Sequence, residues 1–149
     1  MHTKEIKMIL FLDFDGIIVH SHCPDARTID KSCLSLIKEL CDKYDAKIVV
    51  SSAWRIGRTI EELDLLLHEN GLNKGTVIGK TITKMTGLRG IQIVDWIEEN
   101  KYTGDYVVID DENFDLGNIP KEKIIYVEHG WISNGIHRNH IDAWEKNRS

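Results

Sequence analysis

Five short apolar runs constrain this chain more than any other feature: MILFL (8–12), KIVV (47–50), TVIG (76–79), YVVI (106–109) and IIYV (124–127). They are rich in β-branched and aromatic residues and mostly apolar on both faces, the pattern of parallel strands buried between helices. Helical patterns separate several of them. Beyond Thr28 and Asp30, either of which suits an N-cap, the residues Leu34, Ile37, Leu40, Cys41 and Tyr44 recur at helical spacing. Thr59 and Glu62 form a capping box, and Ile60, Leu63, Leu66 and Leu67 make an apolar stripe that runs up to Gly71 as the C′ residue. Ile91, Val94 and Ile97 predict a third helix, and Ile136 to Trp144 a short terminal one. Strands alternating with helices predict a three-layer, doubly wound α/β fold with a five-stranded, mostly parallel sheet, in one domain over residues 1–149.

Bulk properties narrow the function classes. A net charge of −5 disfavours a broad nucleic-acid footprint while leaving room for local capture of a phosphate or a strand end. No apolar run approaches the ~18 residues of a membrane span, and the polar start MHTKEIK is no secretory signal. Cys23, Cys33 and Cys41 are odd in number and lack Cys-x-x-Cys spacing, as expected of reduced thiols in a cytoplasmic protein.

The polar residues then fall at strand exits. Asp13 and Asp15 follow the first apolar run, Ser51 and Ser52 the second, and Asp110 and Asp111 the fourth. Open α/β sheets bind ligands outside the carboxyl ends of their strands, so three polar clusters are expected on one rim. Like charges there repel: a pair at ~4 Å in an effective dielectric near 20 costs about 4 kcal/mol. Either some of them protonate or a hard cation sits among them, and a few carboxylates with room for water and phosphate suit Mg²⁺ better than a Ca²⁺ cage.

An apolar strand running into DFDG resembles the first motif of the haloacid dehalogenase (HAD) superfamily, most members of which are Mg²⁺-dependent phosphatases. AKIVVSS resembles its second motif and VVIDD its fourth, the metal-binding acidic doublet. More narrowly, SSAWR, GKTITK, RGIQIVDWI, VVIDDEN and HGWIS together look like the small phosphatase modules of bacterial and phage nucleic-acid (RNA) repair proteins. The resemblance implies a Rossmann-like fold with Asp13 as the nucleophile, forming an aspartyl-phosphate, and Asp15 as its acid/base partner. Two residues apart in an extended strand point the same way, so both are expected at the reaction centre, with Phe14 between them turned away. The resemblance further implies Ser51 as the phosphate-binding hydroxyl, and Asp13, Asp15 (through its backbone carbonyl), Asp110 and Asp111 around Mg²⁺. Ser52, with its backbone N–H, is a candidate to share the phosphate. Trp54 offers a stacking surface and Arg55 a bidentate phosphate clamp. The third motif needs a cation, for which Arg89 is the first choice, Lys84 the second and Lys80 the third. Asp115 suits either the metal or a turn cap. His129, His137 and His140 lack Cys partners at finger spacing and stay outside the catalytic set.

Insert lengths bear on the substrate. About 35 residues separate Gly16 from Ser51 and about 58 separate Ser52 from Asp110, too few for the large cap domains of many HAD phosphatases. A site left open in this way admits a phosphorylated small molecule, a nucleotide or a nucleic-acid end. The stretch HSHCPDAR (20–27) is expected to be a local flap, with Arg27 in reach of substrate. The leading expectation is therefore a phosphomonoesterase. The alternative is a nucleotide-sequestering protein on the same fold with little turnover, against which the intact Asp13 and Asp15 argue. A phospho-accepting receiver domain would need an Asp where KIVVSSAW has none.

Overall fold

A computed structural model describes residues 5–82 and 87–148. Five strands, β1 (Met8–Leu12), β2 (Ala46–Val50), β3 (Val77–Lys80), β4 (Asp105–Asp110) and β5 (Ile124–Tyr126), form one sheet in the order β3-β2-β1-β4-β5, and every pairing is parallel. Four helices connect or follow them: α1 (Lys31–Tyr44), α2 (Ile60–Glu69), α3 (Arg89–Glu99) and α4 (Arg138–Lys146). No helix among the described residues is long and apolar enough to cross a membrane.

Alternation along β1 divides the core in two. Leu10, Leu12 and Phe14 face a layer built with Leu34 and Ile37 of α1, Leu63 and Leu67 of α2, and Ile141 and Trp144 of α4. Ile9 and Phe11 face the other layer, with Ile93 and Trp96 of α3. A strand apolar on both faces is thus sandwiched, as its composition requires. The helix ends follow local chemistry. Asp30 accepts from the N–H groups of Ser32 and Cys33, and Thr59 and Glu62 form the reciprocal box. Gly71 lies just past α2 with φ of 125°. In α3 the buried stripe is Ile93 and Trp96, one step around from the expected Ile91, Val94 and Ile97, which are half-buried. The reason is the packing of Trp96, whose ring stands edge-on to Phe11 at 5.7 Å.

The strand order reverses between β1 and β4, the switch point at which such sheets form a crevice. Register decides what stands there. Leu12 pairs with Val50 on one side and Ile109 on the other. The next residues, Ser51, Asp13 and Asp110, therefore stand side by side. Backbone pairing carries the row past the strand ends: Ser51 N–H donates to Leu12 C=O at 3.0 Å and Asp13 N–H to Ile109 C=O at 3.1 Å.

Candidate active site

Asp13 and Asp110 are buried carboxylates, and Asp111 is half-buried beside them. One oxygen from each of the three lies within 4.8 Å of the others. Arg89, the first residue of α3, sends Nη1 to 2.6 Å from Asp110 Oδ2 and 3.5 Å from Asp13 Oδ2. Asp13 Oδ1 accepts the Phe14 N–H at 2.9 Å, and Asp110 Oδ1 accepts the Glu112 N–H at 3.0 Å. Among the described residues, Arg89 is the cation paired with this cluster, and one guanidinium does not balance three carboxylates. Burial, then the charge of Asp110, pushes Asp13 up to about 9 against the opposing pull of Arg89. Burial raises Asp110 to about 6, again against Arg89, and burial also raises Asp111. A crowded, all-oxygen set of this kind fits a hard divalent cation.

Ser51 is fully buried, and its Oγ has no hydrogen-bond partner among the described residues. An orphaned buried hydroxyl next to Asp13 fits an acceptor that arrives with a ligand, such as a phosphoryl oxygen. Ser52 is differently used: its Oγ accepts the Trp54 N–H at 3.2 Å and caps the single helical turn of residues 53–55.

Gly16 is required by its surroundings. It has φ of 83°, and a Cβ there would collide with the Asp111 carboxylate. A Cβ on Gly130 would meet the Gly16 carbonyl, so the HGW loop (129–131) closes onto the turn after β1.

Asp15 departs from the geometry expected of it. β1 ends at Leu12, and the Phe14 carbonyl gathers the N–H groups of Ile17, Ile18 and Val19 into a tight turn. Phe14 keeps the inward face of Leu10 and Leu12. Phe14 is buried and Asp15 is exposed, outside the three-carboxylate cluster, with Oδ1 accepting the Trp54 indole N–H at 3.1 Å.

Arg55 corrects a second expectation. It is buried rather than aimed at a phosphate. Its Nε donates to Thr81 C=O at 2.8 Å, Nη1 to Ser52 C=O at 2.8 Å, and Nη2 to Gln92 Oε1 at 3.1 Å. The guanidinium satisfies carbonyls that the ends of β2 and β3 leave over. Among the third-motif candidates, Arg89 reaches the carboxylates. Lys80 Nζ instead donates to Arg58 C=O at 2.6 Å, and Lys84 lies outside the described residues. Asp115 Oδ2 accepts the Arg89 N–H at 3.1 Å and so caps α3.

An open cavity of about 550 Å³ leads to the cluster, lined by Asp15, Ala26, Arg27, Ala53, Trp54, Arg58, Asp111 and Trp131. Arg27 belongs to the expected flap. The flap's start is tied down by His20, whose Nε2 bonds Asp30 Oδ2 at 2.7 Å, and by Ser21 N–H on Trp131 C=O at 2.8 Å. Arg58 and Trp131 escaped the catalytic and binding sets drawn from sequence. Arg58 carries a visible signal, since it lies four residues past Trp54 and its guanidinium sits 5.3 Å from the Trp54 ring centre. Of the C-terminal histidines, His137 and His140 cap α4 through the His137 N–H on His140 Nδ1 at 2.9 Å.

Residues 9–131 match the family described as the HAD domain in Swiss Army Knife RNA repair proteins. The chain belongs to that family. Among curated proteins and solved structures, no relative matches. The HAD domain here has a compact, uncapped, all-parallel α/β fold, and membership makes it a HAD-type hydrolase.

Proposed function

We propose that this HAD domain is a Mg²⁺-dependent phosphomonoesterase that works through an aspartyl-phosphate on Asp13, with a nucleotide or nucleic-acid terminal phosphate as its substrate. The observation that carries the reading is buried Asp13 set between Asp110 and a Ser51 hydroxyl unpartnered among the described residues, with Asp111 and Arg89 adjoining. Asp13 attacks phosphorus, forming one O–P bond as the ester O–P bond breaks. Asp15 gives the leaving oxygen its proton, then takes one from the water that hydrolyses the aspartyl-phosphate. Ser51 Oγ and Arg89 hold phosphoryl oxygens. A divalent ion bound by Asp13, Asp110 and Asp111 supplies charge neutralisation and orientation of the phosphoryl group.

The open cavity, with Arg27, Arg58 and Trp131 on its walls, suits a bulky phosphorylated end, and membership in a family of RNA repair domains favours a nucleic-acid terminus. The buried, unpaired thiols of Cys33 and Cys41 suit a reducing compartment such as the cytoplasm.

The test is phosphate release, with Mg²⁺ or with chelator, from nucleoside mono- and diphosphates, cyclic nucleotides, 3′- and 5′-phosphorylated oligonucleotides and sugar phosphates. Mg²⁺-dependent release that Asp13→Asn abolishes is the expected result. Release unchanged by Asp13→Asn would overturn the mechanism, and tight binding without release from any compound would favour nucleotide sequestration.

A further inference from the structure

Trp54 lines the cavity, and several contacts hold it there. Its backbone N–H is fixed by Ser52 Oγ, and its ring packs against fully buried Phe14 with centroids 5.3 Å apart. The Arg58 guanidinium lies 5.3 Å from the same ring, while Arg58 Nη1 donates to the Trp54 carbonyl at 3.0 Å. A ring engaged by Phe14 and Arg58 is poorly disposed to accept a stacked base. Its one polar atom, Nε1, points at Asp15 Oδ1 at 3.1 Å.

We propose that Trp54 is a positioning residue, whose indole N–H holds the Asp15 carboxylate at the cavity mouth where the leaving group sits. The inference rests on the reading of Asp15 as the acid/base group. Asp15 needs such a holder because it is exposed and lies beyond the end of β1, where an isolated bridge to Val19 fixes its backbone but not its side chain. The anchor itself is rigid: Phe14 follows the nucleophile directly, and Ser52 follows the phosphate-facing serine. Trp54 thereby couples the acid/base group to both motifs. An indole N–H only donates, so it occupies Oδ1 and leaves Oδ2 to carry the transferred proton.

The experiment compares kcat/KM for an alkyl phosphate and for p-nitrophenyl phosphate, whose leaving group departs without a proton. Both are measured in the native chain, Asp15→Asn, Trp54→Phe and the double variant. General acids contribute about 10²- to 10⁴-fold. Asp15→Asn should therefore lose about 100-fold or more on the alkyl ester and little on the aryl ester. Trp54→Phe keeps an aromatic ring but removes the N–H. It should lose about 10-fold on the alkyl ester only, and add nothing to the loss in the double variant. If Asp15→Asn does not discriminate between the esters, the acid assignment falls and takes this proposal with it. If Asp15→Asn discriminates while Trp54→Phe matches the native chain, or slows both esters equally, the role of Trp54 alone is overturned. A measurement independent of Trp54→Phe folding uses ¹⁵N-labelled chain carrying Asp15→Ala. One of the four tryptophan indole N–H resonances should shift strongly; four unmoved resonances would overturn the contact.

Discussion

The Arg89 guanidinium donates to the Asp110 carboxylate at 2.6 Å and so ties the N-terminus of α3 to the carboxyl end of β4. The pair places a fixed positive charge at the switch point of the sheet, where Asp13 and Asp111 add two further carboxylates. Among the described residues Arg89 alone pairs with this cluster, and that imbalance of one cation against three acids drives the first two predictions.

Metal-free stability should fall as pH rises. Asp13 and Asp110 have folded values of about 9 and about 6, above the ordinary 3.8. Stability from their protonated forms is complete below about pH 4 and is lost as pH rises through those folded values. Mg²⁺ offsets the ionised set, so the Tm gain on adding Mg²⁺ should grow between pH 5 and pH 9 by thermal denaturation. A gain independent of pH would contradict the cluster as the cation site.

Asp13→Asn should separate activity from stability. Loss of the nucleophile should cut phosphate release at least about 1,000-fold. In the same variant, urea unfolding without metal at pH 8 should show unchanged or higher stability, because an amide is spared the proton uptake that keeps buried Asp13 neutral on folding at that pH.

Arg55 and Arg58 should behave oppositely. Arg55→Met strands the Ser52 and Thr81 carbonyls and Gln92, and should cost about 2 kcal/mol or more in urea unfolding. Arg58→Met loses a cation–π contact and a hydrogen bond to the Trp54 carbonyl at the cavity wall, about 1 kcal/mol together. In steady-state kinetics it should raise KM for an anionic substrate more than it lowers kcat.

Gly16→Ala should damage both fold and site. A positive φ costs a residue with a Cβ about 1–2 kcal/mol, and the added methyl displaces the Asp111 carboxylate. Reduced Tm together with weaker Mg²⁺ stabilisation is the expected outcome; an unchanged Mg²⁺ response would show that Asp111 does not need its present position.

The strands and helix caps were legible because their signals are local. MILFL is apolar on both faces wherever it is placed, and Thr59 with Glu62 closes a capping box within one helical turn. The rim carrying Asp13, Ser51 and Asp110 also followed from sequence, since each directly follows an apolar run. Asp15 stands apart from the buried carboxylates because β1 gives way after Leu12 to a turn organised around the Phe14 carbonyl. The role of Arg55 depends on packing that its own segment does not reveal. A long cationic side chain after a phosphate-binding strand looks like a clamp until the unpaired carbonyls around it are known.

The sequence by itself determined the parallel sheet, its five strands and the acidic and hydroxyl residues at their ends, since these depend on burial pattern and local hydrogen bonding. Tertiary structure decided which side chains meet. Register set Ser51, Asp13 and Asp110 in one row, α3 brought Arg89 to them, and the turn after β1 gave Asp15 to Trp54. Those partnerships join segments far apart in the chain, and only the packing of the sheet and its helices fixes the distances between them.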